Sequence, residues 1–368
     1  MNNIDDTKKY SLLSLQESIG TVKILFITYL AIGDFVYLQN YFVFLKELYP
    51  SLRIDLWVDE LRRSWKFWRW RHLAKYSLHD WIRQVPYFTA LHLETYSPFA
   101  LWRMCKRAQQ ENYSIIIALT TFRSARLVKL AKRIAPNADI ISIGKSVYGS
   151  RSVAERVLLD GWHINDCYAG FFEDIFGVCI PQEKRVPFIE IPSLYYDGAQ
   201  SFLKDMNRSF IFINSFAKTH KREWSINKVL ECIRALRLFS MFADTIFIVN
   251  TLPENYNFVD ACVRASGLRD VRVFTAKNNF FELPAIISYC TAVISVETAV
   301  MHLASALKIP VLALMRHKNP EWRPYDNGLA RVVYASGRGF VQTIPVKEVV
   351  RTFCEFYRTQ QKGFLLRV

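Results

Sequence analysis

Residues 293–315, VISVETAVMHLASALKIPVLALM, constrain the fold of this chain more than any other stretch. They read as a short apolar strand (292–295), a turn, a helix rich in small residues (298–307) and a second apolar strand opened by a proline (310–314). Strand, helix and strand with so little chain between them predict a parallel βαβ crossover. The turn at Glu297 and Thr298 aims unpaired amides and the positive end of a helix dipole at one point, which suits a phosphate or diphosphate. Thr298 is placed to cap the helix, and Ala299, Ala304, Ser305 and Ala306 let helix and sheet approach closely. A crossover that binds nothing carries the same pattern.

The alternation extends along the chain. Strand patterns at 23–28, 53–58, 114–119 and 139–143 fill the first half, with helical ones at 34–48, 60–110, 123–134 and 150–178. In the second half, strands at 210–214, 245–250, 271–274, 292–295 and 310–314 alternate with helices at 225–238, 259–265 and 298–307. This predicts an α/β protein of two doubly wound, Rossmann-like domains facing across a cleft, with ligands at the carboxyl ends of the strands. The expected bounds are 1–195 and 208–345. The segment 192–207, with its Pro, Gly and Ser, is the linker. Residues 346–368 close the chain as a helix that can pack back on the first domain.

With 368 residues, 51% of them hydrophobic, the chain is long enough for two cores. Seven scattered cysteines without a CxxC read as reduced, mostly buried thiols, and give no zinc signature. Residues 2–20 lack the basic start and cleavage site of a signal peptide, and no apolar run reaches about 18 residues, so a cytoplasmic protein without a membrane span is expected. No GxGxxG follows the first strand. The run 142–146 ends like a phosphate loop, but Asp139 stands where its first glycine belongs.

The net charge of +15 asks for an acidic partner. Arg62, Arg63, Lys66, Arg69 and Arg71 sit together with no acid among them, interleaved with Trp65, Trp68 and Trp70. Such a segment can meet a phosphorylated acceptor or an anionic lipid surface, rings in and cations out. It could also stack on single-stranded nucleic acid, the less favoured reading, or be a partly buried helix with a solvated basic face.

Four groups could carry chemistry. Asp34 follows the first strand after Gly33. There it can accept a proton from a hydroxyl nucleophile, or simply cap a helix. Lys218, Lys221 and Arg222 form a basic loop after the first strand of the second half, ahead of a helix that Ser225 caps; cations at a helix start make sense if an anion joins them. Glu254 could accept from ribose hydroxyls. His302, one turn into the 298–307 helix, is either a site residue or a packed core histidine. Trp322, in Glu321-Trp322-Arg323-Pro324, walls the cleft or packs.

Three of these motifs, in this order, resemble the ADP-heptose:lipopolysaccharide heptosyltransferases, glycosyltransferase family 9. The carriers are the strand 23–28 with Ala31-Ile32-Gly33-Asp34 and Tyr49-Pro50, the loop Lys221-Arg222-Glu223-Trp224-Ser225, and Glu297-Thr298-Ala299-Val300-Met301-His302-Leu303-Ala304 with the later Trp322-Arg323-Pro324. Glu297 and Ala299 depart from the family's Asp and Gly. The resemblance implies a GT-B fold and an inverting, metal-independent sugar transfer that needs no cofactor beyond its nucleotide-sugar donor. It further implies Asp34 as general base, Lys221 with Lys218 or Arg222 on the departing diphosphate, the helix start at Thr298 and Ala299 beside the same charge, and Glu297 on the donor sugar. The acceptor would be phosphorylated lipopolysaccharide or lipooligosaccharide core at the inner face of the cytoplasmic membrane, with no nucleic acid partner. A related transferase using a hexose or N-acetylhexosamine, and a non-catalytic binding protein on the same scaffold, are the alternatives.

Overall fold

The computed structural model describes residues 22–120, 123–143, 150–153, 162–337 and 339–365. Residues 2–20, and Gly144, Lys145 and Ser146 of the phosphate-loop-like run, lie outside the described residues. The chain divides into two compact units, Met1–Val186 and Pro187–Val368.

The first unit is built on six parallel strands: β1 (Lys23–Thr28), β2 (Arg53–Val58), β3 (Ala90–His92), β4 (Ile115–Ala118), β5 (Asp139–Ile143) and β6 (Arg151–Val153). Their order is β3-β2-β1-β4-β5-β6. Strands such as β1 (KILFIT, apolar from Ile24 to Ile27) and β4 (IIIA) are apolar on both faces because helices cover both faces of a parallel sheet. On one face, Phe26 of β1 meets Phe42 of helix α1 (Ile32–Leu48) edge-on at 4.9 Å and stacks on Phe172 at 5.8 Å. On the other face, Leu25 and Ile27 pack with Leu127, Val128 and Ala131.

The second unit repeats the plan with β7 (Phe210–Asn214), β8 (Ile246–Asn250), β9 (Val271–Phe274), β10 (Ala292–Val296), β11 (Val311–Met315) and β12 (Ala330–Tyr334), ordered β12-β11-β10-β7-β8-β9. Counted within each unit, both sheets have the doubly wound order 3-2-1-4-5-6. The direction in which successive strands are added reverses between β1 and β4 in one unit and between β7 and β10 in the other. Open α/β sheets bind ligands just beyond the carboxyl ends of strands at such a switch point.

The elements differ from the sequence reading at several points. Residues 150–178 are not one helix: β6 occupies 151–153, and α6 (Ile164–Phe176) follows; α2 to α5 are Trp70–Ala74, Ser77–Ile82, Pro98–Gln109 and Ser124–Ile134. Strands β3 and β12 were not legible, being short or only partly apolar. The proposed linker contains helix α7 (Leu194–Leu203), whose Tyr195 stacks on Phe281 at 5.4 Å and ties the helix into the second unit. The closing helix Val346–Leu365 sends its apolar stripe (Val349, Phe353, Tyr357) into the second unit's core, with Phe353 stacked on Phe242 at 5.8 Å. Five of the seven cysteines are buried, and none forms a disulfide.

Candidate active site

Asp34 lies just past the carboxyl end of β1, at the first unit's switch point. Helix α1 starts at Ile32, so the cap position falls on Ala31 and Asp34 is the third helical residue. From there its carboxylate reaches back and accepts the Ala31 N–H at 2.7 Å. Its other oxygen accepts from the Tyr168 hydroxyl at 3.2 Å. Tyr168 is brought there by α6, which the Phe26–Phe42–Phe172 cluster holds against α1, and by Tyr41, whose hydroxyl donates to the Asn165 side-chain oxygen at 2.7 Å. Burial pushes the Asp34 carboxyl up to about 6, and the bonds from Ala31 and Tyr168 only partly offset that. Burial and the facing carboxylate push the Tyr168 hydroxyl well up, so it stays a donor. Tyr76 donates to the Leu30 carbonyl at 2.9 Å and steadies the loop before Asp34. Such a carboxylate, half-buried and poised near neutrality, can take a proton from a bound hydroxyl.

The basic tryptophan segment splits in two. Arg62 grips Glu60 with two bonds, at 2.9 and 2.7 Å. Arg63 is paired with Asp59 and donates to the Thr95 carbonyl at 2.6 Å. Both arginines, expected at an acceptor or lipid surface, are thus paired within the chain; the acids that hold them, Asp59 and Glu60, stand just upstream of the acid-free run. Lys66, Arg69 and Arg71 are exposed.

In the second unit, three strand ends are stitched together by buried amides and hydroxyls. Asn250 donates to the Asn214 side-chain oxygen at 2.8 Å, and Asn214 donates to the Thr298 hydroxyl at 2.9 Å. Thr298 occupies the cap position of helix α11 (Ala299–Ala306), yet its side chain makes no capping bond because Asn214 engages it. The first amides of α11 are thus left without a side-chain cap at the switch point beside β10. Ser215, at the end of β7, has a buried hydroxyl with no hydrogen-bond partner. Both features suit an anionic ligand.

Glu297 does not face this position as a free carboxylate. It is 4% exposed, and its two oxygens lie 3.3 Å from Arg222 Nε and 3.2 Å from Arg316 Nε. The Glu297 side chain, expected on the donor sugar, thus meets two guanidinium groups. Two arginines on one carboxylate leave an excess positive charge near the α11 start. Arg316, directly after β11, was not singled out from sequence, because its partner stands 19 residues earlier. Lys218 and Lys221 are exposed, with the Lys221 ammonium over the Phe340 ring at 5.8 Å. Trp224 is buried and donates to the Ile344 carbonyl at 3.1 Å, and Ser225 caps the following helix as expected. Glu254 is exposed after β8. His302 is buried with its ring 6.2 Å from Trp322, so both pack together, and Ala299 opens α11.

If Lys221 holds the donor diphosphate, Lys221→Ala weakens nucleotide diphosphate binding roughly ten- to a hundred-fold, as for a hydrogen bond to a charged group. Calorimetry checks this; unchanged affinity would shift the role to Lys218 or Arg222.

Solved structures with this architecture extend over both units. A glycosyl transferase family 9 protein from Veillonella parvula matches with a TM-score of 0.72 at 17% identity, covering 93% of this chain and 99% of that one. The ADP-heptose lipopolysaccharide heptosyltransferase II of E. coli matches with a TM-score of 0.68 at 17% identity, covering 92% and 100%. E. coli heptosyltransferase WaaC, solved with ADP, matches with a TM-score of 0.62 at 15% identity, covering 91% and 100%. Curated protein sequences give no match. The fold is that of a GT-B glycosyltransferase. The family model for glycosyltransferase family 9 (heptosyltransferase) matches residues 101–338, more than half of the sequence, and the chain belongs to that family. Among the described residues, no group of His, Cys, Asp or Glu is arranged to hold a metal ion, and no helix is long and apolar enough to cross a membrane.

Proposed function

We propose that this glycosyltransferase moves heptose from ADP-heptose onto the phosphorylated core of lipopolysaccharide or lipooligosaccharide, with inversion and with protein cations, not a metal ion, balancing the leaving group. Asp34 takes the proton of the acceptor hydroxyl. The acceptor oxygen forms its bond to the sugar's anomeric carbon from the face opposite the diphosphate. The bond from that carbon to the phosphate oxygen breaks, and the electron pair leaves with the nucleoside diphosphate. Lys221, Arg222 and the amides at the start of α11 hold that developing charge. The acceptor is reached at the inner face of the cytoplasmic membrane, where the protein acts as a peripheral enzyme.

The observation that carries the reading is the Asp34 carboxylate, hydrogen-bonded on both oxygens and shifted to about 6 at the switch point of its sheet. A base works only when deprotonated. As pH falls through about 6, Asp34 gains its proton, and kcat/KM declines toward a tenfold loss per pH unit. A pH profile of kcat/KM, measured at acceptor concentrations well below KM, tests this; a profile flat down to pH 4.5 would remove Asp34 as the base.

A hexose or N-acetylhexosamine donor is the second reading. It is favoured by Glu297, whose carboxylate is engaged by Arg222 and Arg316 and so not offered to sugar hydroxyls. Competing nucleotide sugars in one assay separate the two.

A further inference from the structure

We propose that Trp65, Phe67 and Trp68, with Phe99 and Trp102 beside them, form a platform that inserts into the interface of an anionic lipid bilayer. This deepens the proposed function, resting on its lipid-borne acceptor, and adds the surface by which the enzyme reaches it. These five side chains are 83%, 71%, 65%, 61% and 49% exposed, and they come from only two short stretches. A lone exposed ring needs no explanation, whereas a cluster of this size marks a binding surface.

The two stretches are joined. The Ser64 N–H donates to the Tyr96 carbonyl at 3.1 Å, and the Glu60 N–H to the Thr95 hydroxyl at 2.8 Å. The Trp70 indole turns back to donate to the Ser64 carbonyl at 2.8 Å. That bond closes residues 64–70 into a loop with Trp65, Phe67 and Trp68 on its outer side. Next to it, α4 buries Ala100, Met104, Cys105 and Ala108 against the sheet. Its Phe99 and Trp102 stack at 6.1 Å on the opposite, solvent side. The core therefore does not need these rings.

Charge selects the occupant. No acid occurs between Leu61 and His79. With Arg62 and Arg63 engaged by Glu60 and Asp59, the cations left for lipid are Lys66, Arg69, Arg71 and Lys75, all exposed. The Lys66 ammonium lies over the Trp68 ring, 5.7 Å from its centre, so cation and ring share this surface. Rings that enter the headgroup boundary with cations at phosphate height describe an interfacial anchor on anionic lipid.

The test uses the full-length protein and vesicles of phosphatidylcholine with and without phosphatidylglycerol. Wild type should sediment with the anionic vesicles, and its tryptophan emission should be quenched by lipids brominated near the headgroup. The triple variant Trp65→Ser, Phe67→Ser, Trp68→Ser should bind those vesicles at least ~10-fold more weakly while melting at the wild-type temperature. It should keep its transfer rate on a soluble truncated acceptor and lose it on a vesicle-embedded one. Equal vesicle binding by variant and wild type would overturn the platform. So would retention on a single-stranded oligonucleotide in preference to vesicles, lost steeply with salt. If wild type transfers no sugar to any acceptor, the enzymatic reading fails, and vesicle binding still judges the platform by itself.

Discussion

Asp34→Asn should lower the transfer rate by about 10²–10⁴-fold while making the protein more stable at neutral pH. The asparagine oxygen can still accept from Ala31 or Tyr168, so the start of α1 keeps its geometry, but the amide cannot take a proton. The stability gain follows from the pKa. Asp34 titrates near 6 in the folded chain and near the ordinary 3.8 when unfolded. Between those values the folded state binds more protons than the unfolded one, so stability falls as pH rises through them. At pH 7 the charged carboxylate costs stability, and asparagine removes that cost. The gain should be roughly 1–2 kcal/mol, less than two full pKa units because the carboxylate keeps some solvent. Melting curves at pH 7 and pH 4.5 check the sign: the variant leads at the higher pH, and the difference shrinks at the lower.

Glu297→Leu should strongly destabilise the second unit. The carboxylate is the counter-charge of both Arg222 and Arg316, at 3.3 and 3.2 Å. Without it, two guanidinium groups repel each other beside the positive end of α11. Breaking a buried pair from one side costs about 3–5 kcal/mol, and the partial exposure of Arg222 brings the expected loss to about 2–3 kcal/mol. Urea unfolding measures it. Glu297→Asp, which restores the charge on a shorter arm, should recover most of the stability. A Glu297→Leu protein as stable as wild type would show that the arginines do not depend on this carboxylate.

Much of the fold was readable because parallel strands covered on both faces are short apolar runs, as in β1, β7 and β10. Asp34 and the Lys218–Arg222 loop were readable for a related reason: each directly follows the first strand of its sheet, where this topology puts ligands. What escaped the sequence was made by contacts distant along the chain. Tyr168 meets Asp34 across 134 residues, in a region that carried no recognisable motif. Arg316 reads as the end of a strand until Glu297 is seen against it. The pairing of Arg62 and Arg63 was hidden because the acid-free window begins one residue after Glu60, and only the turn beyond β2 brings Glu60 and Asp59 back to them. Phe99 and Trp102 fit a helical pattern like any core pair, and their exposure is a property of which face α4 buries.

The central claim is that Asp34 removes the proton during transfer of a sugar from a nucleotide donor. It is tested most directly by incubating the wild-type and Asp34→Asn proteins with ADP-heptose and other nucleotide sugars on truncated core acceptor, and following the product by mass spectrometry. The account predicts a glycosylated acceptor with wild type, and a product rate at least ~10²-fold lower with the variant. Transfer by both proteins at the same rate, or by neither from any donor, would contradict it.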